Sequence, residues 1–134
     1  MANEVRSMGA YIGALAVADA LRKRTKDFAI RIVKLSLALP KTDAARTLGR
    51  QVLRSGTSVA ANYRAACRAR SRAEFVSRMA VVVEEADETV FWLEMLIDTR
   101  IVPLKRLQPL IQEANELLAV CAASHRTAKQ RLDR

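Results

Sequence analysis

The chain has 134 residues, 51% of them hydrophobic, and a formal net charge of +9. That composition excludes a disordered chain and is long enough for one buried core. With only four Gly and three Pro, and with Pro40 and Pro103 placed where helices should stop, the chain reads as all-α.

Residues 1–24 are expected to form an N-terminal helical arm, and residues 25–134 a four-helix bundle. The arm contains the apolar run from Gly9 to Ala18, which is too short to cross a bilayer. Glu4 weakens the basic flank that a signal peptide would need. No membrane association is expected.

The first bundle helix is expected over Thr25–Leu39, capped by Thr25 or Asp27. Phe28, Ile32, Leu35 and Leu39 give it an apolar face, and Pro40 stops it. The second helix is expected from Thr42-Asp43 to about Ala69. Its packing seam is Ala45, Leu48, Val52, Ser55, Val59, Asn62 and Ala66. These side chains are small, so a neighbour can approach closely. Gly49 and Gly56 weaken this helix, and a bend is expected near Ser55-Gly56-Thr57-Ser58. Asn62, at the seam's edge, is expected to find hydrogen-bond partners and fix helix register.

The third helix opens on Ser71-Arg72-Ala73-Glu74, a capping box. Its seam is Phe75, Met79, Val82, Ala86, Val90, Leu93 and Ile97. The fourth starts near Pro103, with the seam Leu104, Leu107, Ile111, Ala114, Leu118 and Cys121. Four amphipathic helices on short connections make an antiparallel up-and-down bundle.

The charge is uneven. Residues 1–78 hold 16 basic and 5 acidic side chains, whereas residues 79–134 hold 7 and 9. Six arginines of the basic half share one stripe: Arg46, Arg50, Arg54, Arg64, Arg68 and Arg72. At 100° per residue Arg46 and Arg64 coincide, Arg50 and Arg68 lie about 40° further round, and Arg54 and Arg72 about 80°. The seam lies opposite. A helix boundary at Ser71 would take Arg72 off the stripe. A row of guanidinium groups suits phosphates, so the expected partner is nucleic acid, RNA or DNA, bound without base reading. An aromatic content of 4% argues against recognition by base stacking. The acidic cluster Glu84, Glu85, Asp87 and Glu88 is expected to be solvated or to pair with arginines of a neighbouring helix or subunit.

More apolar surface is present than four seams need. Phe91, Trp92, Met95 and Leu117 are the candidate interface of a homo-oligomer. The two cysteines have no metal spacing and are expected to pack as small residues in a reducing, cytoplasmic setting. One histidine cannot supply the two Glu-x-x-His pairs of a di-metal bundle. No phosphate loop or nucleophile triad occurs. No enzyme activity, metal or cofactor is expected.

The segments Leu48-Gly49-Arg50-Gln51-Val52-Leu53-Arg54-Ser55-Gly56, Ser58-Val59-Ala60-Ala61-Asn62-Tyr63 and Ser71-Arg72-Ala73-Glu74-Phe75 resemble a known family. So does Glu85-Ala86-Asp87-Glu88-Thr89-Val90-Phe91-Trp92-Leu93-Glu94. This is the family of four-helix-bundle proteins encoded in intervening sequences of 23S ribosomal RNA. It includes the accessory variability determinant of diversity-generating retroelements. The likeness spans roughly residues 25–120. It implies a ring-like homopentamer and, for the retroelement branch, a basic surface that binds nucleic acid and a reverse transcriptase. Ala65-Ala66 stand where many members carry Glu-Gly. The alternative function is a structural homo-oligomer whose arginines form subunit contacts.

Overall fold

A computed structural model describes the backbone of residues 1–134, and all side chains except those of Ser7, Ala10, Tyr11 and Ile12. Four helices make up the fold: α1 (Ala2–Ala38), α2 (Asp43–Cys67), α3 (Arg72–Asp98) and α4 (Leu104–Leu132). Successive helices pack on one another, and α1 also meets α4 to close the bundle. Leu39 lies against Gly49, Ile32 against Gly56, and Ala18 is reached by Tyr63. The sequence numbers run in opposite directions, so α1 and α2 are antiparallel.

Local chemistry sets most helix ends. Thr42 caps α2, its Oγ1 accepting from the Ala45 N–H at 3.2 Å. Ser71 caps α3, accepting from the Glu74 N–H at 3.0 Å. The Glu74 carboxylate reaches back to the Arg70 N–H at 3.0 Å, which completes the expected reciprocal box one residue earlier. Pro103 precedes α4 as its N-cap instead of occupying the first turn.

The expected break at residues 24–25 is absent, and the arm and first bundle helix form one continuous α1. Thr25 is buried, and its hydroxyl donates back to the Arg22 carbonyl at 3.0 Å. The hydroxyl expected to cap a helix start is therefore spent inside a helix. Among the described side chains, the core begins at Leu21. The preceding Val5, Met8, Leu15 and Val17 are exposed.

The expected bend in α2 is also absent as a break, since the helix is continuous through Gly56. Ser55 and Thr57 return their hydroxyls to the carbonyls of Gln51 and Leu53 at 2.9 and 2.7 Å. The glycines serve packing. A Cβ at Gly56 would lie 2.8 Å from Cγ1 and 2.9 Å from Cγ2 of Ile32, a fully buried β-branched side chain. A Cβ at Gly49 would meet only Cδ1 of Leu39, at 2.9 Å. That atom ends a flexible, partly exposed side chain, whereas Ile32 has one strongly preferred χ1 in a helix. Gly56→Ala should therefore destabilise by about 1–2 kcal/mol, overpacking outweighing the gain of about 1 kcal/mol in helix propensity. Gly49→Ala should be neutral or slightly stabilising. Denaturant unfolding of both variants checks this; equal effects would contradict it.

The core is formed by Phe28, Ile32, Val52, Val59, Met79, Val82, Leu93, Leu96, Leu107, Leu117 and their neighbours. Its α4 face is Leu107, Leu110, Ala114, Leu117 and Cys121. Leu104, placed in the seam by periodicity, is exposed, and Ile111 and Leu118 lie at its margin. Asn62 is half-buried and donates to the Ser58 carbonyl of its own helix at 2.9 Å, so its amide does not tie α2 to a neighbour. Among the described residues, no helix is long and apolar enough to cross a membrane.

Candidate nucleic-acid interface

All six stripe arginines are exposed, but they do not form one row. Arg46, Arg50, Arg54 and Arg64 sit on α2, and Arg68 is its C-cap. Arg72 is the first residue of α3. The Arg68 N–H donates to the Ala65 carbonyl and the Ala69 N–H to the Ala66 carbonyl, both at 3.1 Å, which closes α2, and Ser71 starts a new helix. The chain turns between them, which removes Arg72 from the stripe.

Arg54 is engaged elsewhere. Its guanidinium meets Glu85 at 3.2 Å and also forms a hydrogen bond to Glu88, both on α3. The Trp92 indole N–H donates to the same Glu88 carboxylate at 3.2 Å. Half of the acidic cluster thus pairs within the chain, while Glu84 and Asp87 stay exposed. Arg54, and then Trp92, hold the Glu88 carboxyl below its ordinary pKa; the same hydrogen bond raises the Arg54 guanidinium. A depressed carboxyl pKa contributes stability above the unfolded value of about 4.3, and loses it as pH falls through the folded value. Glu88→Gln should therefore flatten the acid limb of the stability profile below about pH 4.5. Thermal melts from pH 3 to 6 test this, and an acid limb as steep as in the parent chain would contradict it.

A second clamp joins α1 to α4. Arg24 Nε donates to the Glu113 carboxylate oxygens at 3.1 and 3.0 Å, and its terminal nitrogen to Glu116 at 2.8 Å. By contrast Arg46, Arg50, Arg64 and Arg68 form no ion pair with any carboxylate among the described residues. They are the free part of the stripe. Arg46 and Arg50 border a cleft between the end of α1 and the start of α2, beside Lys41. Arg64 and Arg68 border a groove of about 630 Å³ further along the same helix pair, opposite Arg22, Lys23 and Lys26 of α1. The stripe had not included these three α1 residues. Their signal was the run Arg22-Lys23-Arg24-Thr25-Lys26, which straddles the expected arm boundary.

The candidate interface residues divide. Phe91 is 49% exposed and packs edge-on against Trp92, with ring centroids 4.8 Å apart. Trp92 and Met95 are half-buried. Leu117 is only 1% exposed and belongs to the core of its own chain. It fills the space between helices and has no surface to offer a second copy.

Both cysteines are free thiols. Burial pushes the Cys121 thiol up to about 11, which keeps it protonated and unreactive near neutral pH. No group of three or more His, Cys, Asp or Glu side chains converges to hold a metal among the described residues.

The sequence matches the 23S rRNA-intervening sequence protein family over residues 20–123. The chain belongs to that family. Its shared region takes in the second half of α1, all of α2 and α3, and α4 as far as Ala123. A solved structure of a protein of unknown function from the S23 ribosomal protein family of Bacteroides thetaiotaomicron is 31% identical. The superposition has a TM-score of 0.76 and covers 81% of this chain and 97% of that one. None of the curated proteins matches the sequence. The 23S rRNA-intervening sequence family thus accounts for the helical bundle, while the stripe and groove must be read from this chain's own residues.

Proposed function

We propose that this chain is a non-enzymatic, self-associating protein that holds nucleic acid by its phosphates without reading base sequence. The observation that carries this reading is the set of four exposed arginines on α2 and its C-cap, Arg46, Arg50, Arg64 and Arg68, that no carboxylate neutralises among the described residues. Guanidinium groups whose charge is not neutralised by a carboxylate are available to displace counterions from a phosphate backbone. Arg54 is left out of the binding set because its charge is committed to α3.

Self-association rests on apolar surface left in water. Phe91 on α3 and Leu37 on α1, 49% and 80% exposed, are large side chains outside the core. A ring-like homopentamer is the assembly that the family resemblance implies, and it would repeat the basic face around a ring. The same resemblance implies the retroelement role, in which such an oligomer assists a reverse transcriptase. Light scattering reports the mass directly: a multiple of 14.9 kDa is expected, and a monomer at micromolar concentration contradicts it.

Anisotropy with two unrelated single-stranded RNAs of equal length tests the binding reading. Equal affinities are expected. Arg54→Gln should leave both unchanged and cost at most about 1 kcal/mol of stability, because its ion pairs are partly solvent-screened. A strong preference for one RNA, or a loss in Arg54→Gln matching that in Arg64→Gln, would contradict the assignment.

A further inference from the structure

Between α1 and α2 the structure places a groove of about 630 Å³ whose floor is Thr57, Ala60 and Ala61. Those three residues fall on the stripe's side of α2, between Arg54 and Arg64, so small side chains interrupt the arginine row and open a recess. The Thr57 hydroxyl donates to the carbonyls of Leu53 and Arg54 at 2.7 and 3.2 Å, which ties the floor down. Arg22, Lys23 and Lys26 form one wall and Arg64 and Arg68 the other. Each wall repeats at four-residue spacing, about 6 Å along a helix.

Of these five cations, Lys26, Arg64 and Arg68 pair with no carboxylate among the described residues. Arg22 pairs with Asp19, the one acid lining the groove, and Lys23 pairs with Asp27 at 2.6 Å. Each of these cations has a single acidic partner that is more than half exposed, 67% for Asp19 and 54% for Asp27, unlike the two more buried carboxylates on Arg54, so an incoming phosphate can compete for them at little cost. The floor offers neither an aromatic face nor a free amide to read a base.

We propose that this groove holds one sugar–phosphate strand of the bound nucleic acid, clamped between cations of two helices. The α1 residues Arg22, Lys23 and Lys26 are then phosphate contacts in their own right. This rests on the nucleic-acid-binding reading and adds to it a path: the strand leaves the groove along α2 toward Arg50 and Arg46.

Two variants of the full chain, with fluorescein-labelled dodecauridylate as probe, test the proposal. Lys23→Gln/Lys26→Gln removes two α1 charges from exposed positions. It should weaken binding about tenfold and make the salt slope shallower by about 1.4, at roughly 0.7 per phosphate on a single strand. Ala61→Trp changes no charge and fills the recess from an exposed position. It should weaken binding by a similar factor, which a diffuse positive field would not do. Circular dichroism should show both variants folded; if either has unfolded, the milder Lys26→Met, with one charge removed and a slope change of about 0.7, or Ala61→Leu replaces it. Parent-like binding by the lysine variant while Arg64→Gln/Arg68→Gln loses it would place the strand on α2 alone. Parent-like binding by the tryptophan variant would reduce the groove to a charged surface. Either result overturns the groove and leaves the nucleic-acid reading standing. Failure of the parent chain to bind the probe at low salt overturns both.

Discussion

Leu117→Ala should lower the stability of the chain by about 2–5 kcal/mol, the range for removing a fully buried leucine side chain and leaving part of its volume empty. Leu117 is 1% exposed and belongs to the hydrophobic core cluster. The close-packed side chains around such a site relax only partially into the void. The melting temperature should fall by about 6 °C or more. The decrement should be the same at low and high protein concentration, because the lost contacts are internal. Phe91→Ala provides the contrast. Its ring is half in water, so the cost to the fold should be below about 1 kcal/mol, and any effect should appear in the mass of the assembly. An unchanged melting temperature in Leu117→Ala, with a lower mass, would return Leu117 to the interface.

The quadruple variant Arg46→Gln/Arg50→Gln/Arg64→Gln/Arg68→Gln should lose nucleic-acid affinity on the order of a hundredfold at about 0.1 M salt, from four phosphate contacts removed. Each side chain is exposed and, among the described residues, without an internal carboxylate partner. The helix should therefore remain folded, with each substitution within about 0.5 kcal/mol. Anisotropy and circular dichroism on the same sample separate the two effects. Retained affinity in a folded variant would remove these arginines from the mechanism. Loss of assembly with no change in monomer binding would make them subunit contacts.

The sequence was most legible where the chemistry is local. Ser71 caps α3 as expected, and α2 begins where it was expected, at Thr42-Asp43, because an N-cap needs only residues two or three positions away. The stripe from Arg46 to Arg68 was legible for the same reason: 3.6-residue periodicity places it on one face of α2. The failures came where a local signal has two uses. The Thr25 hydroxyl can cap a helix start or bond back to a carbonyl within one, and it does the second. Gly56 can bend a helix or admit a neighbour, and Ile32 shows it admits α1.

Tertiary details were less legible than the bundle itself. Leu117 and Leu118 are adjacent apolar residues, and only the crossing of α4 with its neighbours selects Leu117 as the inner one. Both Arg54 and the acidic cluster were visible in sequence, but the register that brings Arg54 to Glu85 and Glu88 belongs to the α2–α3 packing. The α1 wall of the groove was hidden because a helix boundary was expected within its basic run.

The central claim is that free arginines on the α1/α2 face bind nucleic acid through phosphates. A salt titration of the unmodified chain with a single-stranded RNA tests it most directly. With at least four phosphates neutralised, log K should fall linearly with log salt at a slope of about −3 or steeper, at roughly −0.7 per contact. A slope near zero, or no binding at 50 mM salt, would contradict it.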